Sequence, residues 1–146
     1  MSASSDLQAA IEALLRAPGA LSANVPIVKR RTKEVGAEIE AATAKQGGLC
    51  IYVMPPLPTH ANFDPALFFD RAEIRVRIVE QPSLTGAGAD AYDLADDVAL
   101  ALHWAAIPSI LAHPLFIAER PMEIAEDPKY RIIDVIFTAV YGLLKS

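Results

Sequence analysis

One stretch limits the possible folds more than any other: "RAEIRVRI", residues 71–78, in which charged and apolar side chains alternate without a break. Successive side chains of a β-strand point to opposite faces of its sheet, so the four apolar residues share one face and the charged residues share the other. The sequence therefore predicts a sheet with one buried and one polar face, typical of antiparallel pairing. The polar face of this strand carries Arg71, Arg75 and Arg77.

The last third of the chain predicts a β-hairpin in the same sheet. The segments "LFIAERPMEI" and "YRIIDVIFTAVY" are separated by the turn signal "EDPK". Pro121 restricts the first segment to a sheet edge or a broken strand, because proline donates no hydrogen bond to a neighbour. Asp134 is the one acid inside the second segment, and we expect it to mark the less buried face or to pair with an arginine such as Arg75 or Arg77.

Three segments predict helices, because their apolar residues recur at helical spacing. In the first, Ser5 and Gln8 have the spacing of a capping box. The second ends at Gly47-Gly48, which supply the C-terminal stop. The predicted helices cover about residues 5–17, 32–46 and 90–104.

Two other segments complete the order of elements. "LCIYVM", residues 49–54, predicts a buried strand that ends at Pro55-Pro56, and "VPIVKRR" contains a possible short strand. Residues 55–69 predict a long loop. The sequence thus predicts a single α+β domain over residues 1–146, with a mostly antiparallel sheet and helices packed on one face.

Composition and charge narrow the class of protein. The net charge of −5 argues against a protein that binds nucleic acid over its whole surface. No apolar run approaches the roughly 20 residues that cross a bilayer, and the N-terminus lacks the pattern of a secretory signal peptide. The lone Cys50 cannot form an internal disulfide, which fits a reducing compartment. We therefore expect a soluble, intracellular protein with no membrane partner.

The stretch "TGAGADAYDLADD", residues 85–97, fits the spacing of a dinucleotide-binding turn. Three features oppose that interpretation: the preceding strand is half charged, five residues separate it from the glycines, and the helix that follows begins with acids that would repel a diphosphate. Acids in a first turn are explained more simply as caps of a plain helix. A small nucleotide- or ligand-binding domain that uses Gly86–Asp90 remains the alternative.

The outer side of the 90–104 helix carries acids together with Leu100 and Trp104, away from the predicted core. An exposed tryptophan is typical of a subunit contact, although Trp104 in the core under the following loop is equally compatible with the pattern. A basic cluster lies elsewhere in the chain, and surfaces of opposite sign suit a head-to-tail contact, unless both are simply solvated. The predicted oligomer interface comprises Lys29, Arg30, Arg31, Lys33, Asp93, Asp97, Leu100 and Trp104.

No pattern of catalytic or metal-binding residues emerges. His60, His103 and His113 lack the spacing of metal ligands, and no C-x-x-C pair, P-loop or G-x-S-x-G turn is present. The sequence predicts no catalytic residue, no cofactor and no metal, and so not an enzyme.

The ordered pattern over about residues 35–142 resembles the tail terminator or tail-completion proteins of tailed phages and prophages. The likeness lies in "GGLCIYVMPP", "AEIRVRIVEQP", "DAYDLADDVALALHW" and "YRIIDVIFTAVYGL". It implies a sheet backed by helices, assembly into a ring that we expect to be hexameric, and docking to other tail or neck proteins. It also implies a location in the virion tail, or in the host cytoplasm during assembly. The strand face that carries Arg71, Arg75 and Arg77 would then meet a partner or line a lumen through which DNA passes without sequence specificity.

The 55–69 loop and the segment "IPSILAHPLF" depart from that family. These departures leave open whether the chain corresponds to the terminator itself, a neck protein or another tail component. A monomeric adaptor for one cellular partner is a further alternative.

Overall fold

The structure, a computed structural model, confirms the α+β class: six strands form one sheet, and helices pack against it. It describes residues 3–22, 24–29, 34–45, 47–58, 69–85, 90–126 and 129–142. The elements are α1 (Ala3–Leu15), β1 (Ile27–Val28), α2 (Val35–Lys45), β2 (Leu49–Val53), β3 (Leu57–Pro58), β4 (Phe69–Glu80), α3 (Pro82–Thr85), α4 (Ala91–Leu102), β5 (Phe116–Glu126) and β6 (Arg131–Gly142).

The sheet has the strand order β1-β2-β4-β6-β5, and β3 adds a short pairing to β4. Among the strands of the described residues, β1 and β2 form the one parallel pair, so the prediction of a mostly antiparallel sheet is confirmed. The longest ladder joins β4 to β6, from Phe69 opposite Gly142 to Glu80 opposite Arg131. The predicted hairpin is confirmed as β5 and β6, and Pro121 lies in the outer strand β5, as its missing donor requires.

The main core lies between one face of the sheet and the helices α1 and α4. We call this side the helix face. The apolar residues of the alternating stretch in β4 are all buried there, as predicted. From the helices, Leu7 and Ile11 of α1 and Leu94 and Val98 of α4 pack on it. Each of these helices buries a stripe that its periodicity marked as apolar.

Helix α2 departs from the expectation that the helices share one face. Val35 and Ile39 of α2 pack on Cys50 and Tyr52, which alternate along β2 with the residues of the main core. Successive strand residues point to opposite sides, so α2 covers the other face of the sheet at its β1–β2 end. The rest of this second face, over β4, β6 and β5, carries the arginines, and we call it the arginine face.

Gln8 has a different role from the predicted capping box. Helix α1 begins at Ala3, so Ser5 lies within its first turn and not at the cap. The amide Nε2 of Gln8 is buried and donates to the carbonyl oxygens of Val53, at 2.9 Å, and Lys29, at 3.3 Å. A buried amide must find such partners, and Gln8 thereby ties α1 to the ends of β1 and β2.

The predicted loop of residues 55–69 contains the short strand β3, which pairs with β4, while residues 59–68 lie outside the described part. A second connection, α3, leads from β4 towards α4. Glu80 is buried beside it and accepts hydrogen bonds from the Ala91 amide at 3.2 Å, the Thr85 hydroxyl at 2.7 Å and Arg131 at 3.1 Å. One carboxylate thus joins β4, β6, α3 and the start of α4, where a negative charge meets the helix dipole.

The glycine pair after α2 acts as the predicted stop, since Gly47 and Gly48 have φ angles of +72° and +86°. A Cβ on Gly48 would lie 2.8 Å from Leu84 Cβ and 2.9 Å from the Gln81 carbonyl oxygen, whereas a Cβ on Gly47 would meet open space.

We therefore expect Gly48→Ala to lower the free energy of unfolding by about 2–4 kcal/mol, because it combines an unfavourable φ with overpacking. Gly47→Ala is the matched control, and its unfavourable φ alone costs about 1 kcal/mol. Urea unfolding followed by circular dichroism measures both. Equal losses for the two variants would contradict the packing of α3 against Gly48.

Candidate interaction surfaces

The arginine face is built around a buried acid. Asp134 of β6 is fully buried, and its carboxylate accepts hydrogen bonds from Arg77 Nε at 2.9 Å and Nη2 at 3.1 Å. Arg75 Nη1 adds a third bond at 3.3 Å. The expected pairing of Asp134 with these arginines is confirmed. A buried carboxylate requires such charged donors, because its desolvation would otherwise be costly.

Arg75 is also engaged by a neighbour on its own strand, since its Nε lies 2.8 Å from Glu73 Oε2. Hydrogen bonding to Glu73, and then to Asp134, raises the pKa of Arg75 above its usual value. With Arg71 and Arg77, Arg75 gives this face three positive charges. Glu73, Asp134 and Glu119, whose partner Ile136 lies on the same face, give three negative ones, so the charges of the described side chains balance. Arg71 is the exposed member of the three arginines, and the other two help to hold the sheet together.

The start of α4 forms a complete capping box. The Asp90 carboxylate accepts from the Asp93 amide at 3.0 Å, and the Asp93 carboxylate accepts from the Asp90 amide at 3.1 Å. The acids of the first turn therefore cap a plain helix, as predicted. Asp93, which the sequence placed in an oligomer interface, has this role within the chain. Residues 86–89 of the glycine loop lie outside the described part.

Asp97, the second acid of the predicted interface, is also used within the chain. Its Oδ2 accepts hydrogen bonds from the Ser22 amide at 2.8 Å and the Ser22 hydroxyl at 2.6 Å. This pair fastens the segment after α1 to the middle of α4. Sequence spacing gives no sign of it, because the two residues are 75 positions apart.

The C-terminal end of α4 presents two large apolar side chains to solvent. Leu100 is 82% exposed and Trp104 is 65% exposed. Of the two positions that the sequence left open for Trp104, the structure adopts the exposed one and not the position under the following loop.

Trp104 also has an unusual backbone. The helix ends at Leu102, and Trp104 adopts φ +65°, a left-handed conformation that a glycine would normally take after a helix. Its amide donates to the Leu115 carbonyl at 2.6 Å, and its ring lies 5.1 Å from that of His103. A bulky residue in this conformation costs about 1–2 kcal/mol. The fold therefore holds its single tryptophan exposed and strained.

The basic cluster is described only at Lys29, whose Nζ lies 3.1 Å from Glu12 Oε1 in α1. Partial burial acts to raise the pKa of Glu12, but hydrogen bonds from Lys29 and Arg16 outweigh it and lower the pKa. Lys29 thus has a partner within the chain. The other members of the cluster, Arg30, Arg31 and Lys33, lie outside the described residues.

Burial raises the pKa of the Cys50 thiol to about 11, which leaves it protonated and unreactive at neutral pH. Within the described ranges, no group of three His, Cys, Asp or Glu side chains is placed to hold a metal ion. In that same part of the chain, no helix has the length and apolar character needed to span a membrane.

Comparison with models of known protein families gives no match, and no curated protein matches the sequence.

The structure separates two arginines that look alike in sequence. We expect Arg77→Gln to lower the free energy of unfolding by about 2 kcal/mol, because it leaves buried Asp134 with one weaker partner. Arg71→Gln is the matched control on the same strand face, and being exposed it should change stability by less than about 0.5 kcal/mol. Chemical unfolding of both variants tests this, and similar losses would show that Asp134 does not depend on Arg77.

Proposed function

We propose that the protein is a non-enzymatic structural subunit of a tailed phage or prophage, of the tail terminator or tail-completion type. It acts by assembling into a ring and docking at the tail or at the head–tail joint. The observation that supports self-assembly most directly is the exposed pair Leu100 and Trp104, with the strained backbone of Trp104.

Two arguments connect this pair to assembly. Tryptophan is enriched among the residues that carry the binding energy of interfaces, and its burial removes a large apolar area from water. The bond from the Trp104 amide to Leu115 holds this strained backbone within the subunit. Backbone strain clusters at functional sites, and for an exposed aromatic the function that fits is a contact outside the subunit. A neighbouring copy that covers Trp104 would supply that contact.

The head-to-tail arrangement follows from the difference between the surfaces. The Leu100–Trp104 pair is apolar, whereas the segment 29–33 is basic and contains no apolar residue. A contact between the pair of one copy and the basic segment of the next would therefore join two different surfaces. Contacts of this kind close into a ring when the rotation between neighbours permits. The hexameric number, the tail or neck partners and the location in the virion tail rest on the family resemblance of the sequence.

The arginine face is the surface that we assign to a lumen or a partner. Its balanced charge suits the passage of DNA without tight binding, since affinity for a phosphate backbone grows with the number of phosphates neutralised. Arg71 is the residue through which to test this role, because Arg75 and Arg77 hold Asp134. Replacing either of them would disturb the fold together with the surface.

Light-scattering mass after gel filtration tests the assembly. We expect a closed oligomer of fixed mass at micromolar concentration, weakened by high salt if charged surfaces contribute. Trp104→Gly should give monomers of undiminished thermal stability, because glycine relieves the left-handed strain. Arg71→Gln is the control that should keep the wild-type mass. A wild-type monomer at every concentration would contradict self-assembly and favour an adaptor that uses the same tryptophan for another partner.

A further inference from the structure

The chain that follows α4 closes the start of β5 from its outer side. The Trp104 amide donates to the Leu115 carbonyl at 2.6 Å, and the Leu115 amide donates to the Ala105 carbonyl at 2.9 Å. The Ile117 amide donates to His103 Nδ1 at 3.2 Å. We call His103, Trp104 and Ala105 the Trp104 turn. It takes the hydrogen bonds that another strand would otherwise make at this edge.

One of these bonds depends on the charge of a side chain. The two bonds at Leu115 join backbone groups, which do not titrate. The bond from the Ile117 amide ends on an imidazole nitrogen, which accepts a hydrogen bond only while the ring is neutral and its proton is on Nε2. A protonated ring carries a hydrogen on both nitrogens and accepts nothing. Histidine is the side chain that changes charge between about pH 5 and 8.

The charged ring has other partners close by. His103 is the C-cap residue of α4, where the partial negative charge of a helix end favours a cation. The last carbonyls of a helix have no intrahelical donor, and those of Leu100 and Ala101 belong to this last turn. Protonation of His103 therefore exchanges its partner, from the amide of Ile117 to the carbonyl end of α4.

The nearest acids act on His103 from a distance. Asp96 and Asp97 precede it by nearly two turns of α4. Glu119 of β5 projects on the arginine face, the opposite side of the sheet from α4. His113, in the connection between α4 and β5, titrates over the same range, so its contribution has to be separated by mutation. The exchange of partners is thus the direct effect of protonating His103.

The conformation of Trp104 is sensitive to this exchange because its backbone is strained. Its φ of +65° is held by the bonds of the Trp104 turn, and a strained conformation persists only while the surrounding structure over-determines it. His103 directly precedes Trp104, and the two rings lie 5.1 Å apart. Loss of the bond to Ile117 leaves the bonds at Leu115 to hold the turn against β5.

We propose that His103 is a proton-operated latch, a side chain that fastens the Trp104 turn to β5 only while it is neutral. The neutral ring keeps Trp104 in the orientation that a neighbouring copy recognises. In mild acid the ring is protonated, the bond to Ile117 is lost, the turn loosens and self-assembly weakens. This inference rests on the proposed self-assembly and adds its regulation by pH.

The test compares the wild type with two variants of the full-length chain. His103→Asn keeps an acceptor that does not titrate, since the amide Oδ1 is as many bonds from Cα as Nδ1 is. His103→Ala removes the acceptor. Hydrogen–deuterium exchange of the segment that contains Ile117, measured by mass spectrometry, follows the latch. Intrinsic exchange rates depend on pH, so the three proteins are compared with one another at each pH.

At about pH 7.5, wild type and His103→Asn should exchange the Ile117 amide at the same rate, and His103→Ala roughly fivefold faster. At about pH 5.5 the wild type should exchange as fast as His103→Ala, while His103→Asn stays protected. The matched control His60→Asn/His113→Asn retains His103 as its one histidine and should behave like the wild type at both pH values.

Light-scattering mass at the same two pH values measures the effect on assembly. The wild-type oligomer should dissociate at the lower pH, and the His103→Asn oligomer should not. Wild-type exchange at Ile117 that stays equal to that of His103→Asn in acid would overturn the inference, whatever the mass. An oligomer that keeps its mass in acid although the latch opens would overturn the regulation and leave self-assembly intact. A monomer at both pH values with an opening latch would support the latch and contradict the proposed function.

Discussion

The antiparallel ladder between β4 and β6 is the constraint on which the rest of the structure depends. Its register places Ile78 opposite Ile133 and Ile74 opposite Phe137 on the helix face, and Arg77 opposite Asp134 on the arginine face. A slip of one residue would turn Asp134 towards the core of α1 and α4 and expose its apolar neighbours. The buried ion pair therefore opposes a one-residue slip, which would separate the acid from its arginines.

The sequence predicts the strands and helices well where a period is long and clear. The alternation over β4 predicts only a strand, and the apolar stripe of α4 predicts only a helix. The structure has both elements. The side of the sheet that α2 covers could not be predicted, because periodicity reveals which stripe of a helix is apolar but not which face it meets. The predicted role of Gln8 in a capping box was wrong for a related reason. Its partner Val53 is 45 residues away, and local spacing indicated only a capping pattern.

The candidate surfaces also combine features that local spacing predicts with features that depend on contacts between distant residues. Spacing was enough to place Leu100 outside the core, but it left two positions open for Trp104. The pairing of Asp134 with arginine was one of the two alternatives that a single acid in an apolar strand suggested. The left-handed backbone of Trp104 depends on its bond to Leu115 across a connection that has no regular period. The bonds of Asp97 to Ser22 likewise arise only when α1 and α4 pack together. In the sequence, Asp97 is therefore indistinguishable from an acid on a solvated surface.

The edge strands of the described sheet are protected against pairing with other chains. Short strands, bulges and proline at an edge prevent uncontrolled pairing with other chains, and β1 and β5 carry all three features. The start of β5 is protected further, because the Ile117 amide, which faces away from β6, donates to His103 Nδ1 at 3.2 Å. Trp104 lies beside this edge, and burial at an interface would restore the stability that its strained backbone gives up.

Electron microscopy of the purified protein in negative stain tests the central claim, assembly into a closed ring, most directly. The account predicts class averages of one closed ring with an open centre and a uniform number of subunits. Isolated subunits, symmetric dimers or open filaments as the only particles would contradict it.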